Sequence, residues 1–330
     1  MLSITYDDAG RAYILVIGIG NGGNRAVDAM FSDVDGIDFI AVNTDSFALE
    51  KNYPETKIQI GEKTVNGLGT NGNMETGRKS AEESLKFIEK VIEKYDYDMV
   101  FIVAGMGGGT GGGAAPVIAS AIKKKGILTI GVVTKPFLFE GTKCMQNAEN
   151  GINKLKENVD TLIVIPNQKL IESENKDIGS LKSFRRAHRT LKQCIMGIIY
   201  PINYVGMIGI DFWDVRCLMS EKGRLANIGI GYCCGDEKNR AEIVTEAVCK
   251  SPLIEIPIEE AKNIMITVFG TESLGLLETG TIAESIKNRI DPDAEVIFSQ
   301  PSGNFLDKLG VSFDEGIFVI IILKYISQEE

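Results

Sequence analysis

A glycine-rich segment at residues 105–116, GMGGGTGGGAAP, has the residue types that most clearly suggest chemistry. It follows an apolar run at 99–104 and precedes a helix-like stretch at 117–125, so it lies where a buried strand would turn into a helix. Backbone amides at a helix start are unpaired, and glycines let an anion approach them without interference from Cβ atoms. Thr110 adds a hydroxyl. The segment predicts a phosphate-binding loop, with a flexible glycine hinge as the alternative.

A second glycine pattern, G-x-G-x-x-G, follows the apolar run at 12–17 and precedes a predicted helix at 24–30. Its glycines are Gly18, Gly20 and Gly23. A strand, loop and helix in this order can bind a nucleotide phosphate. With Asp45 after the next strand, the pattern would also suit a nicotinamide-dependent dehydrogenase, although that hypothesis leaves the richer loop unexplained.

Two further segments have polar residues in predicted loops of the kind that bind ligands in parallel sheets. The sequence AVNTD at 41–45 ends a predicted strand, and its polar residues favour either a ligand contact or a plain turn. The segment at 66–84 is a glycine-punctuated loop that leads into a predicted helix at 75–94 and can cover a ligand.

Around these segments, apolar strands alternate with helices, which indicates an α/β fold with a doubly wound parallel sheet. The first half has predicted strands at 12–17, 39–43, 57–60, 99–104, 128–133 and 161–165, and helices at 24–30, 75–94, 117–125 and 144–159. A long helix at 177–200, ended or bent by Pro201, leads to a second α+β part with strands at 225–234, 263–269, 294–299 and 316–326 and helices at 239–249 and 280–289.

The composition excludes several classes of protein. The net charge of −10 over 330 residues argues against nucleic acid as the main partner. No apolar stretch is long enough to insert into a membrane. Six scattered cysteines and one histidine give no metal-ligand spacing, so no protein metal site is predicted. A reduced, cytoplasmic location is expected.

Taken together and in order, these segments resemble the FtsZ family of tubulin-like cell-division GTPases. The loop at 105–116 is similar to the family's signature GGGTGTG, and the segments at 18–27, 67–84, 132–141, 210–216 and 251–255 are similar to its other motifs. The resemblance implies a Rossmann-like nucleotide-binding domain at 1–176, a central helix at 177–203 and a C-terminal α+β domain at 204–330. It also implies GTP or GDP with Mg²⁺ as ligands.

The resemblance carries nucleotide contacts over to particular positions of this chain. They are Gly20, Asn21, Gly22, Asn24, Asn43, Thr44, Gly69, Thr70, Asn71, Gly107, Gly108, Gly109, Thr110, Gly111, Glu140, Asn167, Phe184 and His188. Within this set, Glu140 is expected at the ribose and Phe184 against the base.

The resemblance assigns catalysis to Asp211 and Asp214, which lie three residues apart at a predicted helix start. In such a family, subunits polymerise head to tail, and the acidic loop of one subunit completes the site of the next. The two carboxylates would then position water against the γ-phosphate. The alternative is that one of them only caps the helix. Trp213, between them, suits either the subunit interface or the interior of its own domain.

This chain differs from the family's pattern in three places, and these differences leave parts of the expected function open. Gly209 replaces an asparagine beside the acidic pair, so slow hydrolysis is expected, and Cys144 replaces an arginine that contacts the nucleotide. His188 and Arg189 replace the asparagine and aspartate that face guanine, which leaves the base preference open. A basic cluster is a solvated face, a substitute for the missing charge, or a surface that pairs with an acidic neighbour in a filament: Lys182, Arg185, Arg186, Arg189 and Lys192.

The main partner is expected to be the chain itself, with another FtsZ-like protein as a further candidate. A second hypothesis is an accessory or structural filament protein with weak, altered or lost hydrolysis. The family's disordered, adaptor-binding tail does not follow the last predicted strand, as expected for either a shortened chain or such an accessory member.

Overall fold

The computed structural model describes residues 12–31, 34, 36–172, 179–204, 206–220, 225–235, 239–303, 305–311 and 316–325. The predicted start of the central helix, at 177–178, lies outside these residues, as does the predicted last residue of the final strand, at 326.

The described strands form one sheet of ten strands. They are β1 (Ile14–Ile19), β2 (Ile37–Asn43), β3 (Thr56–Gln59), β4 (Met99–Gly105), β5 (Leu128–Lys135), β6 (Thr161–Pro166), β7 (Leu225–Cys234), β8 (Asn263–Gly270), β9 (Glu295–Ser299) and β10 (Gly316–Tyr325). Their order across the sheet is β3-β2-β1-β4-β5-β6-β7-β10-β8-β9.

The described helices connect and cover these strands. They are α1 (Gly20–Asp28), α2 (Ser46–Glu50), α3 (Glu62–Val65), α4 (Met74–Ile92), α5 (Gly109–Lys123), α6 (Thr142–Lys156), α7 (Asn167–Glu172), α8 (Ser180–Asn203), α9 (Phe212–Ser220), α10 (Arg240–Cys249) and α11 (Leu276–Lys287), with short 3₁₀ turns at Leu138–Glu140 and Ile258–Glu260. In the part of the chain that the structure describes, no helix is long and apolar enough to cross a membrane.

The predicted α/β fold is confirmed, and its strand order locates a ligand crevice. Strands β3, β2, β1, β4, β5 and β6 are all parallel, and the chain runs outward in both directions from β1. In a doubly wound sheet, ligands bind at the carboxyl ends of the strands where the order reverses. That point is the gap between β1 and β4, and the two glycine loops follow these two strands.

The helices that follow the two glycine loops begin earlier than predicted. Helix α1 starts at Gly20 instead of residue 24, and α5 starts at Gly109 instead of residue 117, so the flexible-hinge alternative is wrong. Each glycine inside a helix lowers helix stability by about 1 kcal/mol relative to alanine, so the glycine-rich sequence did not predict a helix there. Tertiary packing overrides that cost. A Cβ added to Gly113 would lie 2.1 Å from the Met74 carbonyl oxygen, so α4 and α5 can only approach this closely with glycine there.

The central helix α8 continues past Pro201 to Asn203, although proline was expected to end or bend it. Proline has no N–H to donate to the carbonyl four residues earlier, which belongs to Gly197. The hydroxyl of Thr267 on β8 donates to that carbonyl at 3.1 Å instead. The proline therefore destabilises the helix little here, because a side chain of β8 donates the hydrogen bond that the Gly197 carbonyl would otherwise lack.

The second half of the sheet is mixed, as the α+β prediction requires. Strand β10 pairs antiparallel with β7 and β8, and β9 pairs parallel with β8. Strands β6 and β7 are joined in parallel over only two residue pairs. One apolar cluster extends from β1 through α8 and α9 to β10, so the central helix packs against both halves of the sheet.

Candidate nucleotide site

A cavity of about 450 Å³ opens at the carboxyl ends of β1 and β4, where the strand order reverses. All of the predicted nucleotide contacts except Asn24 line it. Segments that are far apart in the sequence therefore meet in one place: both glycine loops, the turn after β2, the loop before α4, the turn after β5, and the start of α8.

Two helix N-termini point their free backbone amides at this cavity. Helix α5 has Gly108 as its N-cap residue, and α1 begins at Gly20 directly after β1. The first-turn N–H groups of a helix have no partner within the helix, and the helix dipole gives this end a partial positive charge. The site is thus suited to a polyphosphate without needing many basic side chains.

The glycines of the loop at 105–113 have two different roles. A Cβ at Gly108 would meet no atom within 4 Å, so its missing side chain leaves open space in the cavity wall. A Cβ at Gly111 would lie 2.4 Å from the Gly105 carbonyl oxygen, and one at Gly109 would lie 2.5 Å from Thr70 Oγ1. Most of the conformational constraint in this loop therefore comes from packing, and Gly108 is the position that faces a ligand.

Hydroxyl groups from three loops meet beside these amides. Thr110 Oγ1 lies 2.7 Å from Thr44 Oγ1 and 3.4 Å from Thr70 Oγ1, and all three residues are buried. Asn43 holds the turn after β2, because its Oδ1 accepts from the N–H of Thr44 at 2.9 Å. Its Nδ2 donates to Asn21 Oδ1 at 2.8 Å, which ties this turn to the start of α1.

Asp45 serves the same turn, since its Oδ1 accepts from the N–H of Ala48 at 3.0 Å and caps α2. The side chain also lines the cavity. The turn after β2 is thus both a structural turn and part of the cavity wall, and the ligand contact considered for it stays a prediction.

Asn24 does not reach the cavity. Its Nδ2 donates to Asn52 Oδ1 at 3.2 Å, and its Oδ1 is buried without a hydrogen-bond partner. The next residue, Arg25, lines the cavity and is the one lysine or arginine among the described lining residues. Arg25 was not among the predicted contacts, because those in this segment were carried over from the family's first phosphate loop.

Glu140 and Phe184 form the wall at the start of α8. Glu140 Oε1 accepts from the N–H of Phe137 at 2.8 Å, which closes the 3₁₀ turn that carries it. The Phe184 ring packs edge-on against Phe137 and Phe139, with centroid distances of 5.1 and 6.2 Å. Asn167, at the start of α7, is buried, and its Oδ1 has no partner in the described protein.

His188 lies one turn after Phe184 on α8 and also lines the cavity. Burial, with a smaller contribution from the nearby Arg25 guanidinium, lowers the pKa of His188 to about 4, while Asp28 opposes the shift. The imidazole is therefore neutral at physiological pH, with one nitrogen as donor and the other as acceptor.

The acidic pair lies outside this cavity. Asp211 Oδ1 accepts from the N–H of Asp214, and Asp214 Oδ2 accepts from the N–H of Asp211, both at 2.9 Å. The two carboxylates thus cap the start of α9 reciprocally, so capping involves the pair and not only one of them. Both residues are exposed, and neither lines the cavity. One carboxylate oxygen of each is not used by the cap.

Comparison with known proteins identifies the family. Residues 13–175 match the GTPase domain of the Tubulin/FtsZ family, and residues 224–322 match the C-terminal domain of the FtsZ family. This protein belongs to the Tubulin/FtsZ family. The family is one of tubulin-like GTPases, and its nucleotides are GTP and GDP. The dehydrogenase hypothesis has no support from these matches.

Solved structures agree with this assignment. An empty FtsZ dimer from M. jannaschii is 36% identical, with a TM-score of 0.87 over 95% of this chain and 88% of that chain. A tryptophan-to-tyrosine mutant of the M. jannaschii FtsZ is also 36% identical, with a TM-score of 0.88 over 96% of this chain and 92% of that chain. The GTPγS-bound CetZ2 protofilament from Haloferax volcanii shares the fold at 18% identity, with a TM-score of 0.80 over 96% and 94% of the two chains.

The departures from the FtsZ pattern lie at defined places in the structure. Arg189 does not line the cavity, and its Nη1 donates to the Gly310 carbonyl at 3.4 Å, towards the C-terminal strands. Of His188 and Arg189, which replace the family's asparagine and aspartate, only His188 lines the cavity. Gly209 is exposed, and a Cβ there would meet nothing within 4 Å.

The basic cluster on α8 is only partly a solvated face. Lys182, Arg185 and Arg189 are exposed, whereas Lys192 is buried and Arg186 is half-buried. Burial and the neighbouring Arg189 lower the pKa of Arg186. None of the five lines the cavity, so the positive charge missing at Cys144 does not come from them.

Proposed function

We propose that this protein is a self-assembling GTPase of the FtsZ type, in which the nucleotide cavity of one subunit is completed by the acidic turn of the next. The observation that carries the proposal is that Asp211 and Asp214 are exposed and that neither lines the nucleotide cavity of its own chain. A single subunit can therefore bind nucleotide, while hydrolysis requires head-to-tail contact.

The chemistry follows from the two surfaces. Free amides of α1 and α5 stabilise the charge that develops on the phosphates in the transition state. The carboxylate oxygens of Asp211 and Asp214 that are not used for capping orient water and accept its proton as it attacks the γ-phosphate. Such a division makes hydrolysis depend on assembly.

The cavity also fits Mg²⁺ bound with the nucleotide. Mg²⁺ usually keeps several waters and is held by substrate phosphates with one or two protein oxygens. Asp45 and the hydroxyls of Thr44, Thr70 and Thr110 supply such oxygens in the cavity wall. No group of three or more His, Cys, Asp or Glu that could hold a metal occurs in the described ranges. When bound, Mg²⁺ would neutralise phosphate charge.

Exposed apolar side chains flank both surfaces. Leu68, at the cavity, is 85% exposed, and Phe139, beside Glu140, is 64% exposed. Near the acidic turn, Met207 is 78% exposed and Trp213 is 66% exposed, so Trp213 is not inside its own domain. Apolar groups at two different faces favour a head-to-tail contact, which is heterologous and propagates into a filament.

We assign the filament to cell division or a related cytoskeletal task in the cytoplasm, with another FtsZ-like protein as a further partner. A second candidate is an accessory filament protein with weak or lost hydrolysis. The observation favouring it is Gly209, which offers no side chain to support the acidic pair.

Phosphate release and right-angle light scattering, recorded together as protein concentration is raised, test this proposal. Release per subunit should be near zero in dilute protein and should rise with scattering when GTP and Mg²⁺ are present. Scattering without phosphate release would support the accessory filament protein instead. Release that is already maximal in dilute protein would refute a site shared between subunits.

The acidic pair is tested with Asp214→Asn. The amide keeps an oxygen that can accept the Asp211 N–H, so the helix cap is preserved while the charge is lost. Turnover should fall at least about a hundredfold with scattering retained. Glu149→Ala, an exposed carboxylate on α6 that does not line the cavity, is the matched control and should leave turnover unchanged.

A further inference from the structure

A lysine is completely buried near the end of β10. On the face of β10 that packs against α8 and α9, Phe318, Ile320 and Ile322 alternate as apolar residues, and the next position on this face is Lys324. The side chain of Lys324 is 0% exposed. A buried amino group is strongly unfavourable unless polar atoms surround it. The atoms that Lys324 contacts therefore indicate what the residue does.

The amino group of Lys324 binds the C-terminal end of α9. Its Nζ donates to the carbonyl oxygens of Leu218 at 3.0 Å and Met219 at 2.8 Å. Helix α9 ends at Ser220, so both carbonyls are among the last four of the helix, which have no partner within it. The last turn of α9 contains no basic residue of its own, and a cation at this end is also stabilised by the helix dipole.

Thr161 on β6 donates to the same end of α9. Its Oγ1 lies 2.6 Å from the Met219 carbonyl oxygen, and the residue is buried. Strand β6 belongs to the first half of the sheet and β10 to the second. Lys324 is in register with Ala226 of β7, which pairs in turn with Ile163 of β6 at the short junction of the two halves. The end of α9 is thus hydrogen-bonded to both halves of the sheet beside their junction.

The other end of α9 carries the acidic turn. In the part of the chain that the structure describes, the hydrogen bonds of Asp211 and Asp214 stay within this turn and its helix. The first hydrogen bond from α9 to another element comes from Arg216, whose Nη2 donates to the Gly126 carbonyl at 3.1 Å. A helix of nine residues is about 13 Å long, so a tilt at its buried end displaces the carboxylates at the exposed end. A displacement of about 1 Å at reacting groups can cost about a hundredfold in rate.

We propose that Lys324 is a positioning residue for hydrolysis: by holding the end of α9, it fixes where the acidic turn meets the neighbouring subunit. This inference rests on the proposed function, because it concerns how the same acidic turn is held in place. Thr161 assists Lys324 from the first half of the sheet. Neither residue lines the nucleotide cavity. Loss of the anchor therefore lowers the rate at saturating GTP and leaves nucleotide binding unchanged.

Lys324→Met tests this by removing the donor while keeping an unbranched side chain of similar length. Labelled GDP should bind within about twofold of wild type, and assembly with GTP should be retained. The kcat per assembled subunit should fall at least about tenfold with KM for GTP unchanged. A smaller fall in kcat, or an equal loss of binding, assembly and turnover, would overturn the proposal. Lys287→Met, at an exposed lysine of α11, is the matched control and should change none of these quantities.

Mixed filaments show which surface Lys324 serves. Gly108→Val fills the open ligand space and leaves the acidic turn intact. An equimolar mixture of Gly108→Val and Lys324→Met should recover about a quarter of the wild-type rate, because the intact turn of one variant meets the intact cavity of the other. A mixture of Lys324→Met and Asp214→Asn should not exceed the mean of their separate rates, since both changes affect the same turn. No recovery in the first mixture, or recovery in the second, would overturn the proposal.

The fluorescence of Trp213 tests the anchor without turnover. Trp213 is the one tryptophan of the chain and the second residue of α9, and its side chain is exposed. Its anisotropy in dilute protein without nucleotide should be lower in Lys324→Met than in wild type, because the start of a helix released at its far end moves more. Equal anisotropies would overturn the proposal.

Two further outcomes are separated from these. If Lys324→Met does not bind labelled GDP, Thr161→Val, which loses only the hydroxyl donor, replaces it in the same measurements, and unchanged kcat and anisotropy would overturn the proposal. Wild-type protein that hydrolyses no GTP on assembly would refute the proposed function itself. The anisotropy comparison would still decide whether Lys324 holds the turn.

Discussion

The glycine-lined wall of the cavity and the acidic turn before α9 are built in opposite ways. In the first, a Cβ added at Gly109 or Gly111 would lie 2.4 to 2.5 Å from its nearest neighbour. In the second, two exposed side chains cap a helix next to Gly209, where an added Cβ would meet nothing within 4 Å. Under the proposed function, nucleotide binding would depend on the packing of the fold, whereas hydrolysis would depend on exposed side chains that can change without disturbing the fold.

The largest effect is expected where α5 packs most tightly against α4, behind the cavity wall. Gly113→Ala would place a Cβ 2.1 Å from the Met74 carbonyl oxygen, so α4 and α5 must separate and the start of α5 must move. Nucleotide affinity should fall at least about a hundredfold, with a lower thermal midpoint, because overpacking costs about 1–3 kcal/mol or more. Titration with labelled GDP and thermal unfolding measure both.

The matched control is Gly280→Ala on α11, where a Cβ would meet nothing within 4 Å. Alanine is the better helix former, so this variant should be neutral or slightly stabilised. Similar losses in both variants would contradict the idea that the close packing of α4 against α5, and not the loss of glycine as such, fixes the cavity.

A moderate effect is expected at the acidic turn. Gly209→Asn adds a hydrogen-bonding side chain beside Asp211 in open space, and should raise turnover about tenfold with no change in thermal midpoint. Gly209→Ala, which fills the same space without hydrogen bonding, should leave the rate unchanged. If asparagine has no effect, the low activity expected for this chain does not arise from Gly209.

The smallest effect concerns pH and His188. The pKa of His188 is about 4 in the folded protein and about 6.5 in the unfolded chain, so the unfolded chain binds more protons between these values. Stability contributed by the neutral imidazole is therefore complete above pH 6.5 and is lost as pH falls towards 4. The thermal midpoint of wild type should fall more between pH 7 and pH 5 than that of His188→Gln. Parallel pH dependences would contradict the assignment of a buried, neutral His188.

The same comparison explains which features the sequence could predict. Apolar runs predicted the strands of the first half to within a few residues, because buried parallel strands are continuous in hydrophobicity. The starts of α1 and α5 were predicted too late because glycine has a low helix propensity, which can be read from the sequence. The contact of Gly113 with α4, which favours the helix, is long-range and cannot be read from it. Asn24 was predicted from the family resemblance, which could not show that Arg25 lines the cavity in this chain.

Other features depend on contacts that no local pattern contains. The reciprocal cap of Asp211 and Asp214 could have been anticipated from their spacing, but not their exposure. The hydroxyl of Thr267 that satisfies the carbonyl opened by Pro201 comes from a strand far along the sequence. The domain boundaries at 176 and 203 stay predictions, and β6 and β7 continue one sheet between the two halves.

The central claim is that one catalytic site needs two subunits, and mixing two inactive variants tests it most directly. The first is Asp211→Asn/Asp214→Asn, which keeps the cavity. The second is Gly108→Val, whose side chain enters the open ligand space without striking the protein. Neither should release phosphate from GTP alone. An equimolar mixture should recover about a quarter of the wild-type rate, the share of random heterologous contacts that join an intact cavity to an intact acidic turn. No recovery in a mixture that still co-assembles would contradict the account.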